Sequence, residues 1–181
     1  MELVEPIRDI DTIQKIKDIL AQNGTRDLLL FVMGINSGLR ISDLLPLTKK
    51  DVITGTVTIT ETKTGKTKKF PLNEAIKNIL NHYIPTLKDN DLLFPSRNGN
   101  NKSLTRQQAY NIINRACRKA GITDNIGTHT LRKTFGYHHY QQYKDVAILQ
   151  TILNHSAPSI TLKYIGINQD LINQSYNDFA L

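Results

Sequence analysis

From Asp11 onward, Ile13, Ile16, Ile19 and Leu20 recur at helical spacing, and Asn23-Gly24 supplies a left-handed stop. Thr25 is placed to cap a second helix. Its dense apolar run to Ile35 predicts burial, and it gives out near "NSGLR", where Gly38 can take positive φ. A short helical piece follows from Ser42. The period then changes: Val57 and Ile59 alternate with threonines, which predicts a strand, and "KTGK" at Lys63 to Lys66 predicts a hairpin tip. Helical periodicity returns in "NEAIKNILNHYI", and "FPSRNGNN" reads as a loop.

The segment "TRQQAYNIINRACRKAG" is the most sharply defined helix. Thr105 and Gln108 have capping-box spacing, Ala109, Ile112, Ile113, Ala116, Cys117 and Ala120 form one stripe, and Gly121 stops it. Arg106, Arg115, Arg118 and Lys119 lie off the stripe. Further helices are expected over about Thr130 to Tyr143 and Asp145 to Leu153, with a short one opening at Pro158. The tail "NQDLINQSYNDFAL" carries Leu171, Ile172, Tyr176, Phe179 and Leu181, enough for a last helix. The order is helices, a small antiparallel sheet, then helices, a mainly α (α+β) fold.

At 181 residues the chain suits one domain, and no apolar run approaches the roughly 20 residues of a membrane span. One cysteine permits neither an internal disulfide nor a multi-cysteine zinc site, and no secretory pattern opens the chain, so the cytoplasm is the expected compartment. A net charge of +7 favours a polyanionic partner such as DNA or RNA.

Candidate chemistry lies at six positions, with Asp43 beside the first of them. Arg40 follows the Gly38 break, with Asp43 three residues on, close enough to pair with or orient its guanidinium. His129 and Arg132 share a helical face, His155 follows a helix end that Asn154 can cap, Tyr164 comes after a turn, and Lys63 sits at the hairpin tip. Each has a plain structural alternative, whether surface ion pair, solvated helix face or packed tyrosine. Together they suit a phosphodiester. Arginine forks match phosphate oxygens, positioned charge can stabilise a phosphorane without metal, and a tyrosine can attack phosphorus if a neighbour takes its proton.

Four boxes in order, "SGLRISDLL", "THTLRKTF", "LNHS" and "TLKYI", with the lysine hairpin between the first two, resemble the signature of the tyrosine recombinases, the phage integrase-like family. The resemblance runs from about Ile10 to Gly166. It implies that family's mainly helical catalytic domain and a site-specific recombinase acting on double-stranded DNA, with no metal and no other cofactor. Tyr164 would form a 3′-phosphotyrosyl bond, Arg40, Arg132 and His155 would hold the phosphate, and Lys63 would protonate the 5′-oxygen. His129 would assist proton transfer, and Asp43 would support the site. Lys66 is the rival to Lys63, and Asn154 stands where the family usually has glycine. Tyr176 lies too far from His155 to match and reads as a packing residue.

Three further expectations attach to this resemblance. The amino-terminal clamping domain usual in the family is not expected here, leaving one catalytic domain over residues 1–181 that depends on an accessory DNA-binding protein or on self-association. Arg106, Arg115, Arg118 and Lys119 are the candidates for groove contact. The carboxy-terminal tail would dock on a neighbouring protomer or fold back in cis. The alternatives are a DNA-binding accessory protein without turnover and a type IB topoisomerase-like relaxing enzyme.

Overall fold

The computed structural model describes residues 4–97 and 102–179, with the side chains of 168–172 outside that description. Asp9 caps helix α1 (Ile10–Asn23), accepting from Thr12 N at 2.8 Å, and Ile13, Ile16 and Leu20 turn inward. Gly24, at φ 126°, ends α1 and is also the N-cap of α2 (Thr25–Ser37). Thr25 is therefore the first residue of α2 rather than its cap. A single residue joining two helices needs a backbone that glycine adopts without strain.

Helix α2 is the centre of the molecule, burying Leu29 through Met33 against α1 and the helices that follow. It stops at Gly38, in the left-handed region at φ 61° and packed under Phe135, as the break in the pattern predicts. Two single turns, α3 (Ile41–Leu44) and α4 (Lys49–Val52), lead into the sheet. The second is opened by a Thr48–Asp51 capping box that the periodicity does not reveal.

Strands β1 (Thr56–Thr60) and β2 (Thr67–Pro71) pair antiparallel, with Val57 opposite Phe70 and Thr60 opposite Thr67. Lys63 lies in the tip between them. Helix α5 (Glu74–Tyr83) is capped by Asn73, and α6 (Arg106–Lys119) has the expected Thr105–Gln108 capping box. In the loop before α6, Asn98 to Asn101 lie outside the described residues. Cys117 is buried in the core, where burial pushes its thiol up to about 11 and keeps it protonated.

Helices α7 (Thr128–Tyr143), α8 (Val146–Leu153), α9 (Pro158–Ile165) and α10 (Ile167–Asp178) complete the chain. Leu149, Leu153, Ile165 and Ile167 form a second, smaller apolar cluster. A Cβ at Gly136 would lie 2.6 Å from Ile165, so only glycine lets α9 approach α7 this closely. That approach is what sets Tyr164 beside the residues of α7. In the tail, Tyr176 and Phe179 are 81% and 70% exposed, so Tyr176 does not pack as expected. The side chains of Leu171 and Ile172, and Leu181, lie outside the described residues. Among the described residues no helix is long and apolar enough to cross a membrane.

Candidate active site

Arg132 organises the site. It projects from the first half of α7 and is 2% exposed, and its guanidinium donates to Gly38 O at 2.5 Å and to Leu153 O. These two carbonyls end α2 and α8, so one side chain ties together the three segments that carry Arg40, His155 and itself. Arginine suits this because its planar fork can serve two acceptors and still direct charge outward.

Arg40 is the N-cap of α3, with an extended backbone (φ −69°, ψ 148°), and its side chain turns to the end of β1. There Nη1 lies 2.9 Å from Oε1 of Glu61, an ion pair by distance, although the two atoms are not aligned as a hydrogen bond. The expected Arg40–Asp43 pairing is thus replaced by Arg40–Glu61. The two side chains diverge from the start of α3, Arg40 to the buried carboxylate of Glu61 and Asp43 to the backbone of the hairpin. Asp43 is buried and accepts instead from Thr62 N at 2.9 Å, holding the hairpin.

Glu61 is the site residue that motif reading missed. It is 2% exposed, and burial pushes its carboxyl up, but hydrogen bonds from Thr64 and Asn154 and the Arg40 guanidinium prevail and hold it at about 2. One signal was present: Val57, Ile59 and Glu61 continue the same alternation, so an acid stands at the next inward position of the strand. Lys68, on β2, was also missed. Burial and the charge of Arg132 lower its ammonium to about 8, and it donates to Ser37 O at 3.2 Å.

On α9, the Tyr164 hydroxyl lies 3.4 Å from Nδ1 of His129, and its ring meets the His155 ring edge-on at 4.9 Å between centroids. The Lys133 ammonium sits 5.3 Å from the centre of the tyrosine ring. Burial raises the Tyr164 hydroxyl's pKa, and the Arg132 and Arg40 charges counter it. His129 is lowered by burial, then by Arg132, Arg40 and Lys63, so at neutral pH it is an unprotonated base beside the hydroxyl.

His155 follows Asn154, which takes the left-handed cap of α8 at φ 51° as expected. Thr161 on α9 lies 3.1 Å from Nδ1 of His155, leaving Nε2 as the atom that can meet a ligand. Burial, Arg132 and Arg40 lower His155 to about 4. Its unfolded value is about 6.5, so between those values the unfolded chain binds the extra proton and stability falls as pH falls. Urea midpoints should therefore drop between about pH 6.5 and pH 4, and His155→Gln should flatten that slope. An unchanged slope in the variant would show that other groups carry it.

The four basic residues of α6 do not share one face. At about 100° per residue, Arg106 and Arg115 point to opposite sides. Arg106 lines a hollow of about 310 Å³ with His129, whereas Arg115 and Lys119 line a separate groove of about 450 Å³ against α1 and Arg26. Arg118 donates to Ile122 O at 2.7 Å and so closes the end of its own helix. His138 lies 2.9 Å from Ile7 O, and no group of acids, histidines or cysteine among the described residues could hold a metal.

Arg40 and the buried Arg132, the two histidines and the Tyr164 hydroxyl, brought together here, are the residues on which the resemblance to the tyrosine recombinases rests. Residues 8–170 match the model of the phage integrase family. The chain is 48% identical to Probable integrase/recombinase YoeC of Bacillus subtilis (strain 168), covering 99% of both sequences. It is also 29% identical to Tyrosine recombinase XerD of Staphylococcus saprophyticus subsp. saprophyticus, covering 96% of this chain but only 61% of that protein. The fold superposes on that of XerA recombinase with a TM-score of 0.77 at 22% identity, covering 97% of this chain and 65% of the other. For XerH bound to a palindromic difH substrate in a post-cleavage complex the TM-score is 0.75 at 22% identity, covering 98% of this chain and 54% of the other. The chain belongs to the phage integrase family, whose tyrosine recombinases are site-specific DNA strand-exchange enzymes.

Proposed function

We propose that Tyr164 attacks a scissile DNA phosphate to form a 3′-phosphotyrosyl bond, and that His129 takes the hydroxyl proton as the P–O5′ bond breaks. The observation that carries this reading is the meeting of the Tyr164 hydroxyl with His129, 3.4 Å away, beside the Arg132 guanidinium within a single protomer. Arg132 and Arg40 hold the non-bridging oxygens, with His155 as a third donor. The departing 5′-oxygen takes its proton from Lys63. Lys63 lies near enough to His129 to lower it, whereas the Lys66 ammonium is engaged by Asn154 at 2.9 Å, which favours Lys63 as the acid. Asp43 supports the site by holding Thr62. Because the ester stores the energy of the broken bond, a second 5′-hydroxyl can reverse the step and exchange strands, without metal or nucleotide.

The test is an SDS-resistant adduct on duplex DNA spanning the ends of the genetic element that carries this gene, mapped by mass spectrometry. Attachment at Tyr164 is expected. DNA binding without any adduct favours a binding protein of the same fold.

The partner is double-stranded DNA in the cytoplasm, engaged through phosphate contacts that release counterions. Arg106 is the first candidate on α6, because it shares a hollow with His129. Arg106→Glu should weaken binding and lower the salt slope by about one counterion, and Arg118→Glu should change it less. Equal effects on a binding isotherm from 50 to 200 mM salt would remove that distinction. The exposed Tyr176 and Phe179 favour docking of the tail on a neighbouring protomer over folding back in cis.

A further inference from the structure

A lysine at the tip of a two-stranded hairpin is badly placed to act as an acid unless something holds the tip. Such ribbons are marginally stable alone, and a proton donor must stay within hydrogen-bond reach of the departing oxygen. Among the described residues the sheet consists of β1 and β2 alone. Asp43 fixes the base of the tip through Thr62 N, but on the far side of the tip the contacts converge on one residue of another segment.

That residue is Asn154. Its Nδ2 donates to Glu61 Oε2 at 3.0 Å and lies 3.2 Å from Thr64 Oγ1, and its Oδ1 accepts from Lys66 Nζ at 2.9 Å. Thr64 Oγ1 in turn donates to the same Glu61 oxygen at 2.7 Å. The three partners bracket Lys63 on both sides, and Glu61 is also the ion-pair partner of Arg40. Asn154 meanwhile occupies the left-handed cap of α8, immediately before His155. Glycine would make that turn with less strain, so the turn alone gives no reason for an amide side chain.

We propose that Asn154 is a positioning residue, a latch that fixes the hairpin tip, and with it Lys63, against the segment carrying His155. The proposal rests on the reading of Lys63 as the acid. The latch joins the group that protonates the leaving oxygen to a group that binds the phosphate, so both reach the same substrate in one geometry. Glu61 is its hub, because one buried carboxylate pairs with the Arg40 charge through Oε1 while accepting from Thr64 and Asn154 through Oε2.

The experiment uses the full chain and a duplex carrying the mapped cleavage site, with either oxygen or sulfur at the 5′-bridging position. A thiol has a pKa of about 8.5, so a sulfur leaving group departs as thiolate and needs no acid. Asn154→Gly keeps the left-handed turn and removes the latch, and Asn154→Asp keeps the turn and sets a second carboxylate against Glu61. With unchanged circular dichroism, both should slow adduct formation by about 10- to 100-fold on the oxygen substrate and by less than about threefold on sulfur. The aspartate variant should be the slower. Lys63→Ala should show the same selective rescue.

Equal slowing on both substrates, or none on oxygen, overturns the latch while leaving Tyr164 as nucleophile. If Lys63→Ala is not rescued by sulfur, the acid assignment and the latch built on it both fail. If the wild type forms no adduct on either substrate, the underlying reading falls and takes the latch with it.

Discussion

Tyr164→Phe is expected to abolish the covalent adduct, a loss of at least about 10⁴-fold, while DNA affinity stays within about twofold. The variant removes one oxygen and little else. The ring still meets His155 edge-on, 4.9 Å between centroids, and still lies under the Lys133 ammonium at 5.3 Å. The hydroxyl's hydrogen bond to His129 is long, at 3.4 Å, so its loss should cost no more than about 1 kcal/mol of stability. The discriminating measurement pairs gel-shift affinity with SDS-resistant adduct on the same DNA. Residual adduct in the Phe variant would move the nucleophile elsewhere, with Tyr176 the first residue to check. Equal behaviour of the two proteins, both binding and neither reacting, would favour a binding module over an enzyme.

Arg132→Lys should be nearly as damaging, and in two ways at once. For catalysis, a compact ammonium replaces a fork that can hold a phosphate oxygen while it is anchored behind, and adduct formation should fall by about 10³-fold. For stability, Gly38 O and Leu153 O both accept from this guanidinium in a buried setting, and lysine can serve only one of them well. A buried carbonyl left without a partner costs about 1–3 kcal/mol, so urea unfolding should show a loss of that order. At Arg40 the balance differs. Arg40 anchors no helix-ending carbonyl in this way, and without it the Glu61 carboxylate keeps its hydrogen bonds from Thr64 and Asn154. A substitution at Arg132 that slowed the reaction without destabilising the fold would mean that Gly38 and Leu153 find other donors.

The fold's outline was legible because local rules decide it. The stripe from Ala109 to Ala120 with its Thr105–Gln108 box, the helix stop at Gly38, the alternation through Val57 and Ile59, and Pro158 at a helix start each follow from backbone sterics or burial on one face. The Thr25 cap failed because its competitor, Gly24, serves two helices at once. The α4 turn escaped notice because four residues are too few to show a period.

Within the site, sequence order and spacing singled out Arg40, Lys63, His129, Arg132, His155 and Tyr164, because a phosphoryl-transfer reaction restricts residue types and the resemblance restricts their order. Spacing did not settle how these residues are held. Glu61 rather than Asp43 became the partner of Arg40, Lys66 was drawn to Asn154, and the α6 arginines were dispersed by the turn of their own helix. Periodicity and motif depend on neighbours a few residues apart, so the chain by itself determined its elements and its candidate chemistry. The partners of a buried charge come from segments such as residues 61 and 154, separated by 93 positions, and only tertiary packing, where desolvation forces each charge to find a donor or acceptor, decided them.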